Sequence, residues 1–220
     1  MPARLRPSAP IAPDAVLVGD PGRALLLAQE LLEKPKMSNH ARGLWGYTGG
    51  ATGGGELTIQ ATGMGGPSAA LVLADLAELG VRRAVRIGTC AAAARHASLG
   101  DLLLPSKAVA EGGSAASFGL QTGATVEPDA KLLSRLREEL QGQEAVVASL
   151  DTLPSSTEVP VGAAAADMQT VAVFARARSL GLAAAAILIV SEAGGELLDD
   201  EALGVAAKRA GRAAMQGLSR

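Results

Sequence analysis

The chain has 220 residues, 48% of them hydrophobic, which suits one large core and argues against a string of small modules. Its net charge of −2 excludes a general attraction to nucleic acid or to an anionic membrane, so any anion site must be local. Its single cysteine, Cys90, allows no internal disulfide and no cysteine-rich zinc site, in keeping with a reducing, cytoplasmic setting.

The opening MPARLRPSAPIAP carries charge but no apolar stretch of signal-peptide length, so residues 1–14 read as an N-terminal extension to a domain spanning 15–220. Residues 15–19 form a short buried strand, and 23–33 a mostly apolar helix with Leu25, Leu26, Leu27, Leu31 and Leu32. SNHARGLWGYT, residues 38–48, gathers His40, Arg42, Trp45 and Tyr47 in a chain only 2% aromatic; it reads either as an interface or as a hairpin anchored by two rings. Residues 49–55 look loose. A strand follows over 57–62, then a helix over 68–79, entered through Pro67 and closed by Gly80.

Strands are expected at 84–88 and 101–110. The spacing of Leu132, Leu133, Leu136 and Leu140 gives an amphipathic helix over 129–140. A strand at 144–151 precedes a small, polar stretch, 154–166, which reads as a mobile lid or a shortened connection. A helix over 168–180 contains Phe174, a strand covers 184–192, and a helix over 201–218 closes the chain. The apolar run 182–190 is far short of the ~20 residues that span a bilayer, so it belongs to the buried strand. The alternation predicts a single α/β domain with a mixed, largely parallel central sheet flanked by helices.

In such sheets ligands sit at the carboxyl ends of strands. The chemistry is therefore sought at residues 19–23, 62–68, 86–91, 151–153 and 191–196. GDPGR, from Gly19 to Arg23, ends a strand in a tight turn and starts a helix, whose N–H groups and dipole favour an anion; an ordinary turn with a surface arginine reads equally well. Arg86 lies inside an apolar strand, where a charge is expensive unless it meets a carboxylate or a ligand anion, and Thr89 follows it with a hydroxyl. TGMGGPS departs from GxGxxG and no acidic residue ends the next strand, which rejects NAD binding. His96 stands alone, no histidine pair has metal-ligand spacing, and there is no P-loop and no GxSxG, so metal, ATPase and serine-esterase chemistry find no support.

GDPGRA, NHARGLWGYTG, TGMGGPSAALVLADLAELGVRRAVRIGTC and DMQTVAVFARARSLGLAAAAILIVSE, in this order and spacing, resemble the purine nucleoside phosphorylase and uridine phosphorylase family. The resemblance implies phosphorolysis of a nucleoside to free base and pentose 1-phosphate, with inorganic phosphate as co-substrate and no other cofactor. It implies phosphate contacts at Gly19, Arg23, Arg86 and Thr89, and an Arg42 that reaches the site of a neighbouring subunit. Met64, Met168 and Gln169 match ribose positions; Thr89, Cys90 and Ala91 match a turn beside the base, and Leu153 a base-stacking position. Glu192 matches the acid that protonates the leaving base.

The chain departs from the family pattern at several of these positions. Gln169 replaces a ribose-binding glutamate, Leu153 an aromatic, and Glu192 an aspartate. The histidine that the family lends to its neighbour's sugar is missing, with only Arg4 and Arg6 nearby, and no pyrimidine-reading insertion is visible. Purine nucleosides are therefore expected over uridine. The alternative is a relative with an altered substrate, or a non-catalytic one that binds phosphate or a sugar phosphate. Hydrolysis is disfavoured, since a water nucleophile has no use for Arg23, Arg42 and Arg86.

Overall fold

A computed structural model describes residues 4–92, 97–140, 142–153, 159–160 and 162–220. Strand β1 (Asp14–Val18) lies between β4 (Glu56–Ala61) and β5 (Arg83–Ala92), parallel to both. It is covered on both faces, which is why its run AVLV, residues 15–18, reads as continuously apolar. Its side chains alternate: Val16 and Val18 pack with α1 (Pro21–Leu31) and α5 (Asp200–Ser219), while Ala15 and Leu17 pack with α2 (Gly65–Glu78) and α4 (Thr170–Leu180). Helix α3 (Ala130–Leu140) adds Leu132, Leu133, Leu136 and Leu140 to the first of these cores, as its apolar stripe requires.

Helix α1 ends two residues earlier than its leucine pattern suggests. Pro35 cannot continue it, and Leu32–Asn39 becomes an edge strand, β2, paired antiparallel with β3 (Gly46–Ala51). β3 pairs antiparallel with β4, so the segment 49–55 is not loose: its first residues are strand and the rest is a tight hairpin turn.

Beyond β5 the sheet closes on itself. β10 (Ala183–Ala193) runs parallel to β5 and antiparallel to β6 (Leu102–Ala110); β6 pairs with β8 (Gln143–Ser149), β8 with β9 (Ala165–Asp167), and β9 returns to β5 at Ala91 and Ala92. Register shifts near Ser191 and Ser106 bend the strands enough to close this ring. A third core cluster, with Cys90, Leu103, Val147, Leu188 and Val190, fills it. Two-residue strands β7 (Thr125–Val126) and β11 (Glu196–Leu197) add to β6 and β10 and complete an 11-stranded mixed sheet.

The extension ahead of β1 is tied down. Leu5 is buried, the Arg4 and Leu5 N–H groups donate to the Asp75 carboxylate on α2, and the Ala12 N–H donates to Thr58 Oγ1 on β4. The stretch expected to be loose contains β9 at its end; residues 154–158 and 161 lie outside the described residues. Among the described residues no helix is long and apolar enough to cross a membrane.

Candidate active site at the strand ends

Four of the five strand-end segments singled out in the sequence converge on one cavity of about 490 Å³. Gly19, Asp20, Pro21 and Arg23 come from the end of β1, and Gly63, Met64 and Gly65 from the end of β4. Arg86, Gly88 and Thr89 lie on β5, Leu153 follows β8, and Met168 and Gln169 follow β9. The fifth segment, 191–196, does not reach the lining. Helices α1, α2 and α4 all start at this cavity, so three N-terminal dipole ends face one space.

Arg23 and Arg86 share that space. Burial pulls the Arg23 guanidinium below its ordinary value; Asp20 opposes this and the Arg86 charge adds to it. An anion placed between the two guanidinium groups would offset both the burial of Arg23 and the repulsion between like charges. Asp20 caps α1 by accepting the Arg23 N–H at 2.7 Å, so that amide is already bonded and the Arg23 side chain is the group left to face an anion.

Arg86 is 4% exposed; of the two alternatives its burial posed, it meets the carboxylate, and it also lines the open cavity. Its Nη2 donates to Asp167 Oδ2 at 2.8 Å, while its buried Nε has no protein partner. Asp167, fully buried at the end of β9, accepts from Ser149 Oγ at 2.5 Å, from Thr170 Oγ1 at 2.7 Å and from the Thr170 N–H. The guanidinium folds back over Gly88, where a side chain would fall on it.

Gln169 lines the cavity but its amide is largely committed elsewhere. Nε2 donates to the Gly63 carbonyl at 2.6 Å and the Gly65 carbonyl at 3.1 Å, and Oε1 lies 3.2 Å from Thr62 Oγ1. Thr62 has one proton, and the Val18 carbonyl at 3.0 Å is its better acceptor, which leaves Oε1 free to receive a ligand hydroxyl. Gly63 and Gly65, at φ of 72° and 77°, hold a left-handed turn that a side chain would strain. Met64 is 88% exposed at the mouth, and Met168 and Leu153 add the remaining apolar wall.

The other site residues read from the sequence lie off the cavity. β5 continues through Cys90 to Ala92, so the turn expected at 89–91 is strand; Cys90 and Ala91 are buried and do not line the cavity. Burial pushes the Cys90 thiol well above its ordinary value, with the Asp167 charge adding to the effect and Arg86 opposing it. Cys90 is thus expected to resist alkylation by iodoacetamide at pH 8 in the native protein and to react stoichiometrically on unfolding, which a mass-spectrometric time course will check. Glu192 is half-buried on β10, in register with Ala91 and opposite Leu197, outside the lining. Arg42 is exposed on the turn between β2 and β3. His96 lies outside the described residues.

Asp151, at the end of β8, accepts from the Ser114 hydroxyl and N–H; the hydroxyl bond first, then the amide, holds its carboxyl below the ordinary range and pins the helical turn Gly113–Phe118 to the sheet. Asp167 is the functional residue that sequence reasoning did not assign. Its signal was indirect: a buried arginine needs a carboxylate, and Asp167 stands beside Met168 and Gln169. Among the described residues no group of three or more His, Cys, Asp or Glu side chains is arranged to hold a metal ion.

The model of the family described as the phosphorylase superfamily matches residues 13–218. Among curated relatives, the DeoD-type purine nucleoside phosphorylase of Alkaliphilus metalliredigens is 30% identical over 208 residues, covering 87% of this chain and 88% of that protein. The one from Caldanaerobacter subterraneus subsp. tengcongensis is 32% identical over 196 residues, covering 83% of each. The match to that of Oceanobacillus iheyensis is 37% identical but spans 102 residues, 46% of this chain and 43% of the other. The crystal structure of uridine phosphorylase from Vibrio fischeri superposes with a TM-score of 0.85 at 24% identity, covering 95% of this chain and 92% of that one, which shows a shared fold.

Proposed function

The chain belongs to the phosphorylase superfamily, and on that premise we propose that it carries out phosphorolysis of a nucleoside, giving free base and pentose 1-phosphate. The observation that carries this reading is the single cavity shared by Arg23 and Arg86 at three helix N-termini. Inorganic phosphate, the co-substrate, sits between the two guanidinium groups with Thr89 and Gly19 beside it. Its oxygen attacks C1′ of the sugar as the C–N bond breaks, and the bonding electron pair leaves with the base, which takes up a proton. The phosphate also faces the positive charge that develops on the sugar, so the chain's contribution is positioning and electrostatics. Met64 and Met168 pack the sugar. Leu153 stands at the base end, and the Gln169 Oε1 accepts from a sugar hydroxyl. Glu192 lies outside the lining, paired with Ala91 next to Cys90, so it serves the base's proton only if the base extends past the cavity wall toward β10.

Purine nucleosides are favoured over uridine, because the curated relatives matched along most of this chain are purine nucleoside phosphorylases. The active unit is at least a dimer, in which exposed Arg42 completes a neighbour's phosphate site. A phosphate-dependent assay tests the reading. Base release from inosine or adenosine is expected only with phosphate present, and faster than from uridine. No release from any of the three, or equal release without phosphate, would sink it. A second reading has its own support in the Gln169 Nε2, whose donors are spent on the Gly63 and Gly65 carbonyls: a member of the family that binds phosphate or a sugar phosphate and acts on a different nucleoside or on none. Calorimetric phosphate binding without turnover across a nucleoside panel would favour that reading.

A further inference from the structure

Arg42 stands outside its own chain's cavity, with no ion pair among the described residues, yet its backbone is held in a defined and costly shape. Its φ of 60° and ψ of 19° lie in the left-handed region. A bulky residue there carries about 1–3 kcal/mol of strain and persists only where its surroundings over-determine it. Here Asn39 supplies that determination. Its side chain is 1% exposed. Nδ2 donates to the Ala41 carbonyl at 3.3 Å and to the Leu44 carbonyl at 2.5 Å, so its two bonds bracket Arg42 along the chain. Gln60 Nε2 reinforces the far side by donating to the same Leu44 carbonyl at 2.9 Å. The remaining Asn39 atom, Oδ1, accepts the Arg6 N–H at 2.8 Å, and residues 4 and 5 are fastened to Asp75 on α2 at 2.6 and 2.8 Å.

We infer that Asn39 is a positioning residue for Arg42, holding that guanidinium ready for an anion in the cavity of a second copy of this chain. Residues 4–6 form the strap that fixes Asn39 from behind. The inference rests on the proposed reading that the anion is phosphate. Both donors of a buried amide are spent on one turn, its oxygen is tied to Arg6, and the residue so held is an exposed cation with no ion pair among the described residues. A loop that needed only to reverse direction would place glycine at this φ, as it does at Gly43.

The test separates a role exercised through Arg42 from general support of the fold. Asn39→Asp keeps the size and the acceptor for Arg6 but sets an ionised oxygen against two carbonyls. It is expected to raise the KM for phosphate about tenfold, as Arg42→Ala does, and to leave kcat within about threefold. In the Arg42→Ala background the same substitution is expected to change that KM by less than about twofold, because the residue it positions is gone. A second tenfold rise there, an unchanged KM in the otherwise native chain, or a protein that light scattering shows to be monomeric would each overturn the inference. Should the aspartate variant fail to fold, Asn39→Ser, with one donor left, is carried through the same cycle. If the chain turns over no nucleoside, the proposed reaction fails separately. The comparison then rests on calorimetry with inorganic phosphate, where weaker binding by Asn39→Asp supports the positioning role and equal binding overturns it.

Discussion

Arg86→Ala is expected to lower phosphate-dependent kcat/KM by about a thousandfold and, in the same step, to destabilise the fold by about 3 kcal/mol. The first effect follows from position: Arg86 lines the cavity and carries a buried Nε–H that no protein atom satisfies. The second follows from Asp167, which is fully buried and would lose its only ion-pair partner among the described residues. Breaking one side of a buried pair typically costs about 3–5 kcal/mol. The low end applies because Ser149 and Thr170 would still donate to the stranded carboxylate. In a domain of this size the thermal midpoint should fall by roughly 10 °C. The two effects separate in the double substitution Arg86→Met with Asp167→Asn, which removes both charges and refills part of the volume; it should regain most of the midpoint and none of the turnover. Steady-state kinetics and thermal denaturation of both proteins supply the check. Normal phosphate dependence in a folded Arg86→Ala protein would place the anion elsewhere.

The reading of Arg86 also shows what the sequence exposes and what it hides. A guanidinium in an apolar strand is conspicuous, and the need for a partner follows from electrostatics alone. The identity of that partner does not follow, because β9 is three residues long and its alanine surroundings carry no readable period. β1 and the first half of β5 were legible from apolar runs, β4 from alternation, α2 from its Pro67 start and Gly80 stop, and α3 from a leucine stripe. β2 was not: Glu33, Lys34, Pro35 and Lys36 are exposed at the sheet edge, where charge and proline guard against further pairing and erase the alternation that marks a strand. Cys90 and Ala91 read as a turn because nothing local announces that β9 and β10 extend the pairing of β5 to Ala92. The direction of the Gln169 amide is equally long-range, since its acceptors lie more than a hundred residues earlier in the chain. Residue types at strand ends thus pointed to the cavity, and the contacts that assign each group its partner came only with the closed ring.

A single methyl group tests the resulting picture of the anion site. Gly88→Ala is expected to lower phosphate-dependent kcat/KM by about a hundredfold, because the added methyl meets the Arg86 guanidinium. The glycine lies on β5 directly beneath the folded-back Arg86 side chain, and an added Cβ would fall on the guanidinium carbon and both terminal nitrogens. That side chain is 5% exposed and bonded to Asp167, so it cannot step aside within its pocket. It must leave Asp167 and swing into the cavity, or push the strand outward, and either movement displaces the donors that phosphate needs. The overpacking should cost about 1–3 kcal/mol, less than the loss of Arg86, because the positive charge stays near Asp167. Kinetics measured well below the variant's thermal midpoint, with circular dichroism to confirm the fold, separate lost activity from lost structure. An unchanged KM for phosphate in that folded protein would show that the guanidinium's place over Gly88 is immaterial to the anion, and the shared-cavity mechanism would fail with it.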